Sequence, residues 1–135
     1  MAADPTELLK ALGREVRGVR GGVVLNPDGS LLAEHWLDAQ AGPGRGIALC
    51  AGLVEQLQHL AAEAELGRPR RLSLRGERGQ LVIGRSRRGL TVGIAASPAT
   101  LGGQLRRHLE HLLSALDPAR PEEAAGGARP QDGQA

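Results

Sequence analysis

A chain of 135 residues with one cysteine, one tryptophan and no phenylalanine or tyrosine excludes an internal disulfide framework and the aromatic stacking platforms of single-strand and RNA binders. Its formal charge is only +2, and Lys10 is the single lysine among 17 basic residues, an arginine bias that goes with GC-rich coding. No apolar stretch approaches the ~18 residues of a membrane span, and the N-terminus lacks the basic and apolar regions of a leader, so a soluble, unprocessed, cytoplasmic protein of one domain is expected.

Asp4-Pro5-Thr6-Glu7 predicts a helix start, with Asp4 as N-cap, Pro5 at the first helical position and Glu7 three residues after the cap. Leu8, Leu9, Leu12 and Val16 form its apolar stripe, and Gly18 ends it. From Arg20 to Ala33 the chain reads as a hairpin: Val23-Val24-Leu25, the turn Asn26-Pro27-Asp28-Gly29, then Leu31-Leu32-Ala33. Because neither arm alternates, both strands are expected to be covered on their two faces. After a Gly- and Pro-rich connector, a second helix runs from about Ile47 to Leu66 with a wide apolar arc. Its opposite side carries Ala48, Ala51, Gly52 and Ala62 beside Glu55 and His59, open to close approach by another helix or explained by helix propensity alone. Three strands follow. Arg70 to Arg75 alternates, Leu72 and Leu74 inward against Arg71, Ser73 and Arg75 outward, as a half-exposed edge strand does. Gln80 to Arg85 is continuous through Leu81-Val82-Ile83, and Leu90 to Ala96 puts Thr91, Gly93 and Ala95 on one face, leaving room for a close helix. Ser97-Pro98 reads as the cap of a third helix with Leu101, Leu105, Leu109, Leu112, Leu113 and Leu116 as its stripe. Residues 118–135 contain no Leu, Ile, Val or aromatic side chain, so a folded domain over 4–117 and a disordered C-terminal tail are expected.

This order of elements, together with the block Val16 to Ala33, resembles the roadblock family, which includes dynein light chains and bacterial regulators of small GTPases. The resemblance spans about Thr6 to Leu116. It implies an α+β, roadblock/profilin-like fold: a five-stranded antiparallel sheet in order 2-1-5-4-3, with helix 2 on one face and helices 1 and 3 on the other. It further implies a homodimer, with helix 2 packed on its mate and strand 3 paired with strand 3, and a non-enzymatic role in binding or scaffolding a Ras-like GTPase through helix 2 and adjacent loops. The interface so implied comprises Ala48, Ala51, Gly52, Glu55, His59 and Ala62 on helix 2, and Arg71, Ser73 and Arg75 on strand 3. Two arginine edges brought together would repel unless helix 2 or counter-anions offset them.

The residues also support an alternative, an anion-binding module. Arg68, Arg70, Arg71, Arg75, Arg78, Arg85, Arg87 and Arg88 stand against one acid, Glu77, which places a formal surplus of seven charges at one end of the sheet. This patch reads as charge gatekeeping of an edge strand, as a surface for an acidic protein, or as a phosphate-binding face for nucleic acid, the last disfavoured by the missing aromatics. Other constellations are weaker. Gly42-Pro43-Gly44-Arg45-Gly46 lacks the spacing of a dinucleotide loop and reads as a connector, and Lys10, inside a helix, excludes a Walker loop. His108 and His111 share a helix spacing that can bind a metal, but no third ligand is placed, so they read as ordinary surface histidines. Cys50 reads as a small core residue. With no nucleophile elbow present, no catalytic residue, cofactor or metal is expected.

Overall fold

Asp4 opens the first element as its chemistry requires: its carboxylate accepts the Thr6 backbone N–H at 3.0 Å. Pro5, whose missing N–H is no loss in a first turn, leads helix α1, Pro5–Glu15. The computed structural model describes residues 4–37 and 45–117, the side chains of 45–51 and 53 excepted. The expected tail over 118–135, and the connector up to residue 44, lie outside the described residues, whereas Arg45 and Gly46, read as connector, already belong to the second helix.

After α1 come β1 (Val19–Leu25), β2 (Leu31–Trp36), α2 (Arg45–Glu63), β3 (Arg71–Arg75), β4 (Gln80–Arg85), β5 (Thr91–Ala96) and α3 (Gly102–Leu116). The strands form one antiparallel sheet in order β2-β1-β5-β4-β3. The β1–β2 turn closes as its residues dictate. Asp28 accepts the Ser30 backbone N–H at 2.9 Å and the Ser30 hydroxyl at 2.6 Å, while Gly29, at φ 88°, takes the left-handed conformation.

The period-2 alternation of the strands divides the core. On one face Val24, Val82, Val92 and Ile94 pack with Leu9, Leu12 and Val16 from α1 and its end and with Leu105, Leu109 and Leu113 from α3. On the other face Val23, Leu25 and Ile83 form a smaller cluster joined by the half-buried Val54 of α2, Leu72 and Leu81. Two glycines allow close helix approach to the first face. A Cβ at Gly22 would lie 2.9 Å from a Leu9 methyl, and one at Gly84 would lie 2.9 Å from a Leu113 methyl and 3.1 Å from a Leu109 methyl.

Three local expectations change. Helix α3 begins at Gly102, with Leu101 at its N-cap position and no side-chain cap; Leu101 is therefore 72% exposed rather than part of the stripe. The polar side chains before it are engaged elsewhere. Thr100 donates its hydroxyl to the Arg17 carbonyl at 2.9 Å, and the Gln80 side-chain amide donates to the carbonyls of Ser97 at 2.9 Å and Thr100 at 2.6 Å. Strand β2 is only partly covered, because it is an edge: Leu31 and Leu32 are 40% and 43% exposed. Leu74, expected to point inward, is 52% exposed; it belongs to the other edge, beyond the cluster that joins α2 to the sheet.

Candidate functional site

Two surfaces gather the residues that the sequence singles out. The first combines the outward side of α2 with β3. Along α2, at 100° per residue, the half-buried Val54 and the buried Ala61 share a direction, with the half-buried Leu57 beside them. Gly52, Glu55, His59 and Ala62 lie on the opposite half of the helix and are all exposed. A Cβ on Gly52 would meet no atom of the described residues within 4 Å. Ala48 and Ala51 are on the same helix, their side chains outside the described residues.

Strand β3 pairs with β4 alone and leaves its outer backbone edge open among the described residues. Register places Leu72 opposite Ile83 and Leu74 opposite Leu81, so the leucines lie on the α2 side of the sheet. Arg71, Ser73 and Arg75 consequently lie on the α3 side, and the two arginines are already engaged there. Arg71 forms an ion pair with Glu110 of α3, and Arg75 donates to the Gln80 side-chain oxygen at 3.4 Å and to the Pro98 carbonyl at 3.5 Å. Ser73 is exposed between them.

The second surface is basic, but it is not the single patch that the sequence suggests. The hairpin β3–β4 separates the arginines. Arg75 and the exposed Arg78 belong to the turn end, roughly 13 Å along the strand from Arg71 at ~3.3 Å per residue. At the other end Arg68, Arg70, Arg71, Arg85 and Arg87 line a groove of about 520 Å³, together with Pro69, Ser86 and Gly89 and with Glu110, Leu113, Ser114 and Asp117 of α3 and its C-cap. Arg88 adjoins it through its backbone: Asp117 accepts the Arg87 N–H at 2.6 Å and the Arg88 N–H at 3.3 Å. That carboxylate fastens the β4–β5 turn to the end of α3. None of the four α3-side residues was assigned to this surface from sequence, although Glu110, Leu113, Ser114 and Asp117 fall at i, i+3, i+4 and i+7, a recognisable single helix side.

His108 is half-buried and His111 exposed; their rings are tilted at 44° with centroids 6.4 Å apart. Among the described residues no three His, Cys, Asp or Glu side chains are grouped to hold a metal ion, and no helix is long and apolar enough to cross a membrane.

Comparison with known proteins places this geometry. The family model of the Roadblock/LC7 domain matches residues 6–96. Among solved structures, a Roadblock/LC7 domain from Streptomyces avermitilis superposes with a TM-score of 0.76 at 20% identity, covering 86% of this chain and 97% of that one. MglB of Myxococcus xanthus gives 0.75 at 13% identity, covering 84% of both chains. The gliding protein MglB of Thermus thermophilus gives 0.70 at 22% identity, covering 86% of this chain and 90% of that one. At these identities the likeness is one of fold. No curated protein matches the sequence.

Proposed function

The chain belongs to the Roadblock/LC7 domain family, and from that premise we propose that it is a non-enzymatic, homodimeric regulator or scaffold of a Ras-like small GTPase in the bacterial cytoplasm. The observation that carries this reading is the open side of α2: Gly52, Glu55, His59 and Ala62 are exposed together, with free space above the glycine. A lone glycine in mid-helix costs about 1 kcal/mol relative to alanine, and close approach of a second backbone is a use that would offset that cost. The open edge of β3 and the exposed Leu74 extend the surface on the same side of the sheet. Self-pairing at this edge would satisfy its backbone groups and shield the leucine.

Light scattering at micromolar concentration should give twice the chain mass, and the protein immobilised on resin should retain a Ras-like GTPase from its source lysate in a manner that differs between GTP-analogue and GDP loading. A monomer removes the dimer, and retention of no GTPase in either state removes the regulator. The division of the arginines into two ends withdraws support from an extended nucleic-acid face.

A further inference from the structure

The groove at the α3 end of β3 and β4 has a function of its own to explain. Among the described residues Arg68, Arg70 and Arg85 form no ion pair, yet all three residues line one concavity. The two carboxylates that also line it have other commitments: Glu110 pairs with Arg71, and Asp117 accepts backbone N–H groups of the β4–β5 turn. The C-terminus of α3 adds about half a negative charge at the groove. With Arg87 left out, the other four arginines against two carboxylates and that partial charge leave roughly +1.5 concentrated in one place. Gatekeeping of an edge strand calls for charges spread along the strand and pointing to solvent; here five of the eight arginines line one groove at a single end of the hairpin.

We infer that this groove binds a small polyphosphate, such as pyrophosphate or the phosphate tail of a nucleoside di- or triphosphate. Guanidinium forks match phosphate oxygens in bidentate geometry, which a point charge does not. The volume, about 520 Å³, is in the range of small-ligand sites. An extended polyanion would need a continuous basic track, and the hairpin breaks that track between Arg71 and Arg75. The missing aromatics leave the phosphates, not a base, as the recognised part. Helix α3 forms one wall of the groove, and strand alternation puts Arg71 on that side but Arg70 and Arg85 on the α2 side at the strand ends, so light scattering of the Arg70 and Arg85 variants keeps this inference distinguishable from the proposed dimer.

The test is calorimetric titration of the full chain, at 50 and 300 mM salt, with sodium pyrophosphate, ATP without magnesium, and a short DNA duplex. Saturable binding of pyrophosphate and ATP, weaker at the higher salt, is expected. Comparable affinity for both assigns recognition to the phosphates; ATP binding without pyrophosphate binding overturns it. Arg70→Gln with Arg85→Gln should weaken binding about tenfold or more, Arg70→Lys with Arg85→Lys should restore it in part, and Arg75→Gln with Arg78→Gln at the far end should leave it within about twofold. Arg68→Gln, on an exposed side chain outside the strands, serves if the double variant does not fold. Unchanged affinity in the groove variants, tighter binding of the duplex than of ATP, or no binding at 50 mM salt overturns the proposal.

Discussion

At the scale of single residues, the clearest pH dependence belongs to the β1–β2 turn. The Ser30 hydroxyl and then its backbone N–H hold the Asp28 carboxyl below its ordinary value of 3.8, because both donate to the charged form. A carboxylate depressed by folding contributes stability above its unfolded value and loses it as pH falls through the lower, folded value. A carbon-detected NMR titration should therefore place the Asp28 midpoint below 3.8, and Ser30→Ala should bring it back toward that value; a midpoint unmoved by Ser30→Ala would assign the shift elsewhere. Gly84 supplies a second test. Its missing side chain is filled by methyls of Leu109 and Leu113, both buried. Gly84→Val should destabilise the domain by about 1–3 kcal/mol through overpacking, measured by urea unfolding, with no change of oligomeric state. The need for a residue without a Cβ at Gly84 is not visible in the sequence, where Leu81-Val82-Ile83-Gly84 reads as any covered strand; it depends on where α3 crosses.

At the scale of elements, apolar runs, turn and cap residues and periodicity together located every helix and strand, the start of α3 excepted, and the hairpin block with the element order implied the strand arrangement found in the sheet. What periodicity could not place was set by tertiary partners. Ser97 reads as a helix cap, but the segment 97–101 is a connector held by Gln80, Thr100 and the loop after α1. Gln80 is 8% exposed and donates to two carbonyls of that connector. Gln80→Leu leaves both acceptors without that donor and should cost about 1–3 kcal/mol, while a scan by hydrogen exchange should show faster exchange at the start of α3 than in β5. The same limit applies to the arginines. Their number is legible, but their division into two ends follows from hairpin geometry, and the α3 carboxylates that share the groove are distant in sequence. On α2, the open side was legible as a run of small residues. Replacing both Glu55 and His59 by Trp should abolish the proposed dimer in light scattering while leaving the far-ultraviolet dichroism intact; an unaffected dimer would mean that copies meet through a different face.

At the scale of the whole molecule, two patches of opposite charge stand out: Glu55, Glu63 and Glu65 are exposed on α2 and the turns after it, while half of the arginines, the eight from Arg68 to Arg88, gather at and just beyond the ends of β3 and β4. In the proposed dimer α2 meets α2 and β3 meets β3 at the two-fold axis, and groups close to the axis lie near their own copies. A dimer through α2 and β3 therefore sets glutamate near glutamate and arginine near arginine, and its association must come from apolar contact and strand pairing. In water a like-charged pair about 8 Å apart costs about 0.5 kcal/mol, so a few such pairs oppose association by about 1–2 kcal/mol. Raising salt shortens the screening length from ~10 Å at 0.1 M to ~3 Å at 1 M and relieves that repulsion. The dimer dissociation constant, measured by analytical ultracentrifugation, should fall roughly three- to tenfold between low and high salt. The opposite trend would mean that opposite charges meet between copies, and would replace α2-on-α2 and β3-on-β3 contact by an arrangement in which a basic end of the sheet meets the acidic helix of the other copy.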